Sequence, residues 1–536
     1  MGSFGATDEG WLKTTVNGQQ VDYPIFRAYG QFGPKFDGRQ VYWWDGEMRP
    51  YVAQPNYWKS FYRDGMSAVQ NVAVSNASDK LNYRLSYTRN DYRGVQIGGK
   101  QEKNTFNLNT TYRLTPKFTT DIVISYINEK VHNRPYQIDR LTNNYGGFLS
   151  AAERMDVIFD KYKTTKGYKY VPYNDVAKDP AEALKYNIRG YDFLDFLWNQ
   201  LENNFDETTN RLLASATVNY DIVKNLHFRG RVGTDYTGYF AETKNKSAHP
   251  LAFGESGYYG TNFNRYNFTY GDVLLTYSNQ LASKLKLNVS AGYQARKEEY
   301  RYSSQGTRDG LTQENWFSFN ASKTTPTSGS SNRSYLVKDG LFGIVGVEFN
   351  NFLFVEGTVR RERTSTLYPG NNTFYYPAVS GSFELSNAFN LPQFVSYSKL
   401  RASWGIVGNP APAYVANTIY NAGSVNGVAT KLFSNRFGFD ISYYNNRISD
   451  QILSLTVPAT TGSTGILVNV GSLRNYGVEV GLTGTPVKER FFQWDTRLNL
   501  GFNRNKVLSL MEGLERITSS NLDNGSLLIV SEIGKQ

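Results

Sequence analysis

The feature that most constrains the fold of this sequence is a repeated alternation of apolar and polar residues. Within residues 81–88, Leu81, Tyr83, Leu85 and Tyr87 share one face of an extended chain, and polar residues occupy the other. A period of two is typical of a strand with one buried face, because successive strand side chains point in opposite directions. We count about fourteen such segments in the chain. Further examples lie at 118–128, 225–236, 284–296, 352–361, 399–406, 436–445, 476–483 and 491–503.

The aromatic content also predicts a β-rich protein. The 536 residues include 40 Tyr, 33 Phe and 8 Trp, together 15% of the chain. Aromatic residues favour strands, and Tyr and Trp suit surfaces where an apolar region meets water. The sequence contains no run of about 18 apolar residues, so it predicts no transmembrane helix. Membrane strands alternate in polarity, so the mean hydropathy of −0.50 does not argue against a membrane barrel.

Residue types that carry catalysis or bind metals are scarce. The sequence has no Cys, and its three His residues, His132, His227 and His249, lie far apart. Disulfides, thiolate metal sites and Cys nucleophiles are therefore excluded for this sequence. Glu298 and Glu299 are adjacent at a strand end and point to opposite faces, unlike the paired acids of a glycoside hydrolase. We expect no catalytic residues, no metal site and no cofactor, so the protein is not expected to be an enzyme.

The positive charge does not indicate nucleic-acid binding. The 58 basic and 47 acidic residues give a net charge of +11. These charges are scattered along the chain and form no basic block or basic helix that would follow a phosphate backbone. We therefore expect no nucleic-acid partner.

The connections between the alternating segments differ in length in a regular way. Short ones occur at 115–117, 281–283 and 350–351. Long polar ones are predicted at 128–210, 238–264, 297–339 and 407–430. A membrane barrel with tight turns at one rim and long loops at the other has this arrangement, whereas a soluble β-sandwich does not require it. The pattern favours a large antiparallel transmembrane β-barrel with long extracellular loops.

The longest predicted connection contains two helical segments. Residues 151–159 and 191–201 each have apolar residues at helical spacing. We interpret both as ordered parts of a loop, because no linker rich in Pro, Gly and Ser divides the chain. The Ser, Thr and Gly residues at 322–334 predict a flexible loop tip.

Several motifs resemble the barrel of the SusC/RagA family of TonB-dependent outer-membrane transporters of Bacteroidetes. One block resembles the strand, loop and glycine signature of the family. It consists of VRRE at 359–362, YPAVS at 376–380, KLRASWG at 399–405 and VGNP at 407–410. A later block is formed by NRFGFD at 435–440, YYN at 443–445, NVG at 469–471, RNYGVE at 474–479 and NRNKV at 503–507. Near the start, GPKFDG at 33–38 and NYRLSY at 82–87 resemble the early barrel.

The resemblance implies a fold and a domain organisation. Intact family members are similar to a plugged barrel of about 22 strands, of which this chain would cover most. Nothing in the sequence resembles the N-terminal plug or the TonB box, and the chain does not end on an aromatic-terminated strand. We therefore expect residues 1–536 to be a barrel region whose plug domain and C-terminal strands are missing.

The resemblance also implies a function. Relatives of this kind are active importers of oligosaccharides or peptides in the bacterial outer membrane. The expected partners are a SusD-like surface lipoprotein, the TonB complex acting through the missing N-terminal part, the imported ligand and the lipid bilayer. Two alternatives stay open at this point. One is a soluble, secreted β-rich protein that binds or hydrolyses carbohydrate, and the other is a diffusion porin or adhesin-type barrel.

Two groups of residues are candidates for ligand contact. Trp43, Trp44, Tyr57 and Trp58 are loop aromatics that could stack on a sugar or peptide, or could belong to an interfacial belt or pack within the loops. Seven charged residues fall on the polar faces of alternating segments and would line the lumen, where they would contact the plug, the substrate or solvent. They are Arg229, Arg231, Glu356, Arg360, Arg401, Asp440 and Arg497.

Overall fold

The computed structural model describes residues 11–24, 34–55, 59, 62–134, 151–171, 182–186, 191–409, 419–432, 436–456, 465–489, 492–510, 516–522 and 527–534. The first strands are β1 (Trp11–Val16), β2 (Gln19–Pro24), β3 (Gln40–Tyr42), β4 (Met48–Pro50), β5 (Met66–Ala77), β6 (Leu81–Arg93), β7 (Lys100–Thr115), β8 (Phe118–His132), β9 (Asn204–Val223), β10 (Leu226–Asn245) and β11 (Tyr258–Ala282). The remaining strands are β12 (Leu285–Leu311), β13 (Ser322–Phe349), β14 (Leu353–Thr364), β15 (Thr373–Glu384), β16 (Val395–Asn409), β17 (Ile419–Leu432), β18 (Phe437–Thr456), β19 (Gly465–Lys488), β20 (Gln493–Leu510), β21 (Arg516–Leu522) and β22 (Leu527–Glu532). The helices are α1 (Met155–Lys161), α2 (Tyr191–Leu201) and α3 (Leu385–Ala388).

The main element is one antiparallel sheet in which every strand pairs with its neighbours in sequence. It contains 16 strands in the order β5 to β20, against about fourteen alternating segments counted from the sequence. The hairpins β1–β2, β3–β4 and β21–β22 form separate two-stranded sheets. The predicted large antiparallel β architecture is confirmed. Among the described residues, no helix combines the length and the apolar character that a membrane crossing requires.

The two faces of the sheet differ in chemistry. We call the face that carries Leu85, Val232, Val273, Leu341 and Leu482 the apolar face. Its large side chains are exposed, with Val232 63% and Leu341 56% accessible, whereas in a soluble sandwich such a face would be buried against another layer. An exposed apolar face on one side of a sheet is what a lipid-facing barrel wall presents.

Most connections of the two kinds lie at opposite rims, as the sequence predicted; the exception is the β15–β16 connection at 385–394, which contains α3 and lies at the rim of the short turns. One rim carries short turns, including Pro116 between β7 and β8, and Asn350 and Asn351 between β13 and β14. Both asparagines have positive φ angles, 49° and 58°, which a tight hairpin of this handedness needs and Asn tolerates. We call this the short-turn rim, and the opposite one, which includes the connection from β8 to β9, the long-connection rim.

Three predicted long loops are wrong in extent, because strands continue far into them. The stretch predicted as a loop at 297–339 belongs almost wholly to β12 and β13, which leave only residues 312–321 between them. The Ser, Thr and Gly run at 322–334, predicted as a loop tip, is the start of β13. Residues 238–264 and 407–430 likewise lie largely in β10, β11, β16 and β17. Backbone hydrogen bonds between neighbouring strands hold these polar stretches without a buried apolar face, so no alternation marks them in the sequence.

The connection from β8 to β9 folds together with the N-terminal hairpins into a compact aromatic cluster. The predicted helix at 191–201 is confirmed as α2, and the one at 151–159 is confirmed as α1, shifted slightly towards the C-terminus. We call this group the rim cluster; its buried members include Trp11, Val41, Trp43, Trp44, Tyr51, Ala152, Met155, Ile158, Phe193, Leu194, Leu197 and Trp198. Asn133 attaches it to the sheet, since its side-chain amide donates to the carbonyls of Gln200 and Asn203 at 3.0 and 2.9 Å.

Candidate functional site on the polar face of the sheet

The strand register places the predicted charged residues of β10 and β14 on one face. Arg231 lies opposite Asp272, and the cross-strand path continues from Asp272 through Gln294 and Gly340 to Glu362. Directly paired residues share a face, and so do residues two apart on one strand. Arg229 is therefore on the same face as Arg231, and Arg360 and Glu356 are on the same face as Glu362. We call this the polar face.

The same path reaches the remaining three predicted residues. Glu356 lies opposite Ser380 in β15, and Ser382 in that strand lies opposite Arg401. From Arg401 the pairing through β17, β18 and β19 brings Asp440 and then Arg497 onto this face. All seven residues thus lie on the polar face of one continuous sheet, on the five strands β10, β14, β16, β18 and β20. Their orientation towards a lumen stays a prediction.

Arg229 and Arg231 share a single carboxylate. The guanidinium of Arg229 lies 3.1 Å from Asp272 Oδ1, and that of Arg231 lies 2.8 Å from Asp272 Oδ2. Arg231 also donates to the hydroxyl of Tyr270 at 3.0 Å and lies over its ring at 5.1 Å. The Asp272 side chain is almost fully enclosed, whereas both arginine side chains are about two-fifths exposed. The arginines therefore keep hydrogen-bonding capacity on their open side.

A second charged group forms around Glu362. Lys338 lies 2.7 Å from one oxygen of its carboxylate and Arg360 lies 3.0 Å from the other. Arg360 also donates to the side-chain oxygen of Gln294 at 3.0 Å. These contacts span β12, β13 and β14, so they tie three strands together on the polar face.

The third group borders an open cavity towards the short-turn rim. Arg401 forms an ion pair with Asp440, whose carboxylate also accepts a hydrogen bond from Ser442 at 3.1 Å. The cavity has a volume of about 500 Å³, and its lining includes Glu356, Lys399, Arg401, Ser380, Ser382 and Ser442. Hydroxyls and charges of both signs face one space there, an arrangement that can hydrogen-bond to a polar ligand or to another protein segment. Arg497 is exposed on the same face.

The predicted loop aromatics are placed differently from a ligand-stacking surface. Trp43 and Trp44 are buried in the rim cluster, 3% and 0% exposed, and the indole N–H of Trp44 donates to Glu153 at 2.6 Å. Their burial agrees with the loop-packing interpretation, and a binding role for them stays a prediction. Tyr57 and Trp58 lie outside the described residues.

Two acidic groups at the long-connection rim have strongly shifted pKa values. Burial raises the pKa of Glu153 to about 7, although hydrogen bonds from Trp44 and Trp43 lower it. Burial also raises the pKa of Glu202, but hydrogen bonds from Lys246, Lys163 and Tyr162 outweigh it and bring the value down to about 2. Glu202 is therefore ionised, and its hydrogen bonds link the rim cluster to the β10–β11 connection. Glu153 is a neutral or easily neutralised acid in an apolar core.

Sequence reasoning found the arginines of this site but missed their partners. Asp272 lies 41 and 43 positions from its two arginines, and Lys338 lies on a different strand from Arg360. Glu362 is only two positions from Arg360, just beyond the alternating segment 352–361. Alternation assigns a residue to a face, whereas cross-strand contacts depend on register, which no local pattern in these strands specifies. Glu153 carried no distinct signal, because the helical stretch at 151–159 also contains Arg154 and Asp156.

Comparison with known proteins agrees with the β-barrel fold class. The profile of the family described as "TonB dependent receptor-like, beta-barrel" matches residues 146–527. TonB-dependent receptor SusC of Bacteroides thetaiotaomicron is 22% identical over an alignment that covers 86% of this chain and 49% of that protein. TonB-dependent receptor P26 of Formosa agariphila is 21% identical, with coverage of 86% and 48%. The chain thus spans about half the length of these relatives.

Solved structures show the same fold. A chain of the RagAB peptide transporter superposes with a TM-score of 0.71 at 16% identity, covering 89% of this chain and 55% of that one. The unliganded ferric citrate transporter FecA gives a TM-score of 0.51 at 10% identity, with coverage of 83% and 57%. At these identities the likeness concerns the fold alone.

Proposed function

The chain belongs to the TonB-dependent receptor-like β-barrel family, and from this premise we propose that it forms the greater part of the barrel of an active importer of oligosaccharides or peptides. Members of this family are outer-membrane β-barrels, a location that replaces the soluble, secreted alternative. The polar face would line the lumen, and the apolar face would contact lipid. The observation that carries the proposal is the assembly of seven predicted charged residues, with their partners, on one face of a 16-stranded sheet.

The importer would work with partners at both rims. A SusD-like lipoprotein would close over the long-connection rim, where the rim cluster and the β12–β13 hairpin provide ordered surface. The TonB complex would act from the other side through an N-terminal segment, by adding a strand, and would displace a plug from the lumen. The charged groups around Asp272 and Glu362 suit contacts to a plug or a polar ligand, because their arginine side chains remain partly exposed. We propose no covalent chemistry for this chain.

Uptake by cells that carry the full-length gene tests this function. We expect deletion of the gene, or of TonB, to abolish growth on the oligosaccharide or peptide that the protein imports. Growth unchanged on both classes of nutrient after deletion would overturn the proposal. If growth depends on the gene but not on TonB, the barrel is a passive porin instead.

A matched pair of variants tests the role of the polar face. Replacing Arg229→Gln together with Arg231→Gln removes two charges from the proposed lumen and should reduce uptake several-fold. The control Lys297→Gln with Arg361→Gln removes the same charge from the opposite face, where both residues are exposed, and should leave uptake unchanged. Equal effects of the two pairs would contradict a lumen role for Arg229 and Arg231.

A further inference from the structure

Four cations lie together on the apolar side of the last three strands of the main sheet. In the register of β18, β19 and β20, Arg447 lies directly opposite Arg474, and Arg474 lies directly opposite Lys506. Arg504, two residues from Lys506, lies opposite Tyr476. Residues paired in this way share a face, and it is the face of Leu482, opposite to that of Asp440. We call Arg447, Arg474, Arg504 and Lys506 the outer cationic patch.

The patch lies at the border of the lipid-facing region that is nearer to the long-connection rim. Towards the short-turn rim, the same face of β18 and β20 carries apolar side chains that are exposed, with Phe502 66% and Leu500 44% accessible. Ile441 and Tyr443 continue this band on β18. Immediately towards the long-connection rim the residues on this face become the four cations. In a barrel of this family the long connections are extracellular, so the patch lies at the level of the outer leaflet.

Several cations at other places on this face have acidic partners. Arg89 in β6 lies 2.7 Å from Asp91, and Arg363 in β14 lies 2.9 Å from Asp339. Glu299 in β12 lies between the two guanidinium groups of Arg265 and Arg301, at 2.8 and 2.6 Å. At these positions the sheet neutralises outward-facing positive charge with its own carboxylates, whereas Lys297 and Arg361 are isolated single cations and not a row.

The outer cationic patch lacks such compensation among the described residues. No described carboxylate lies within the 4.0 Å of an ion pair from any of its four cations. Like charges directly opposite each other on neighbouring strands are destabilising, and here three cations are aligned across three strands. A row of this kind is stabilised by an anion that several of them contact together.

Arg474, at the centre of the patch, is held in place by neutral neighbours. Its Nε donates to the side-chain oxygen of Asn445 at 2.8 Å, and its guanidinium lies over the ring of Tyr476 at 4.9 Å. These contacts fix the plane of the guanidinium and leave its terminal N–H groups for a further acceptor. A guanidinium fixed in this way suits bidentate binding of a phosphate group.

We propose that the outer cationic patch binds the phosphate groups of a phosphorylated lipid in the outer leaflet. The charge complementarity specifies an anionic head group, and the exposed apolar band below the patch provides a surface for the acyl chains of the same molecule. A soluble anion would contact only the four cations and would leave the apolar band unused. The inference rests on the outer-membrane location and not on which ligand the protein imports.

Lipid binding to the full-length protein, purified in detergent, tests the proposal. The probes are phosphorylated lipid A, the same lipid A after phosphatase treatment, and inorganic phosphate, with bound lipid counted by native mass spectrometry. We expect the Arg447→Gln, Arg474→Gln, Arg504→Gln and Lys506→Gln variant to bind phosphorylated lipid A at least about tenfold more weakly than the unchanged protein, as loss of charge-assisted hydrogen bonds implies. Treated lipid A should bind both proteins equally weakly.

Two further arms separate the proposal from its competitors. Arg504→Gln with Lys506→Gln is a milder variant that should still weaken binding, whereas Lys297→Gln with Arg361→Gln removes the same charge elsewhere on this face and should not. Slower migration of the heated protein on SDS gels verifies that each variant is folded. Equal binding by the two double variants, or by treated and untreated lipid A, would overturn the proposal. Complete displacement of the lipid by inorganic phosphate would assign the patch to a soluble anion and overturn the lipid assignment.

Discussion

Glu153 introduces a titratable group into the centre of an aromatic core. It is 1% exposed, accepts the indole N–H of Trp44, and has a pKa raised by burial to about 7. The folded rim cluster therefore keeps a proton that the unfolded chain, with a Glu pKa near 4.5, releases between about pH 4.5 and 7. The cluster is most stable below the lower value and loses about 3 kcal/mol progressively as the pH rises from the lower value through the upper one.

Replacing Glu153→Gln should remove this dependence on pH. The carboxamide has the shape of the neutral acid and still offers an oxygen to Trp44, so the variant should match the unchanged protein in acid and exceed it above about pH 7. Hydrogen exchange of residues 151–171 and 191–201, corrected for the intrinsic effect of pH, measures the difference. An identical fall of protection with pH in both proteins would contradict the assignment to Glu153.

Two aspartates compare an enclosed ion pair with an exposed one. Asp272→Asn leaves Arg229 and Arg231 without their shared carboxylate and should lower the free energy of unfolding by about 1–3 kcal/mol. Asp339→Asn breaks the ion pair with Arg363, whose side chain is 53% exposed, and should cost about 0–1 kcal/mol. Urea unfolding in lipid bilayers provides both values. A larger loss for Asp339→Asn would show that enclosure of the carboxylate does not govern these pairs.

At the scale of elements, the strands from β9 to β13 are much longer than a membrane crossing requires. β11, β12 and β13 contain 25, 27 and 28 residues, whereas about ten residues of a tilted strand span the bilayer. The side that is apolar near the short-turn rim becomes charged beyond Lys297, with Glu299 and Arg301. The part of the β12–β13 hairpin beyond Lys297, towards the long-connection rim, is therefore expected to extend beyond the lipid.

Shortening this hairpin should leave the barrel intact. Arg301 and Arg333 are directly paired, so replacing residues 302–332 by Asn-Gly would join them through a favoured two-residue turn. We expect the shortened full-length protein to reach the outer membrane and to keep its unheated mobility on SDS gels, because the removed part lies outside the lipid. Failure to assemble would place this part of the hairpin within the wall. Removal of residues 287–347, which includes the apolar band, is the matched variant that should fail.

The elements that could be predicted from the sequence are those whose polarity reports their surroundings. The strand at 81–88 alternates as a strand with one apolar and one polar surrounding does, and the helix at 191–201 has an apolar stripe because it packs into the rim cluster. The parts of β12 and β13 nearest the long-connection rim are polar on both faces, so the strands there have the composition of a loop. The alternation of apolar and polar residues in β10 assigned Arg231 to a face. Its pairing with Asp272 could not be predicted from the sequence, because the pairing depends on the register between β10 and β11.

At the scale of the whole molecule, the two rims assign an orientation in the membrane. Gln313 lies in the β12–β13 connection at the long-connection rim, and Ser283 lies in the β11–β12 turn at the short-turn rim; both are exposed. The 536 residues contain no Cys, so single cysteines introduced here can be labelled without background from this region. The long connections are expected outside the cell and the short turns in the periplasm.

Labelling of intact cells with a membrane-impermeant maleimide checks this orientation. Gln313→Cys should react on intact cells, and Ser283→Cys should react only after the outer membrane is permeabilised. The reverse pattern would invert the barrel and move the outer cationic patch to the inner leaflet. Reaction of both cysteines on intact cells would show that the two rims do not lie on opposite sides of the outer membrane.

The strictly sequential order of the sheet has a consequence for how the chain assembles. Each strand from β5 to β20 needs only the hairpin beside it, so closing most connections costs little entropy and pairing can spread from one hairpin to the next. The exception lies between His132 and Asn204, where the longer connection raises the cost of closure by roughly 1.5 kcal/mol relative to the β10–β11 connection. The chain therefore has two groups of strands, β5–β8 and β9–β20, within which pairing proceeds from each hairpin to the next. Pairing of β8 with β9 joins the two groups, and we expect folding of the rim cluster to determine the rate of this step.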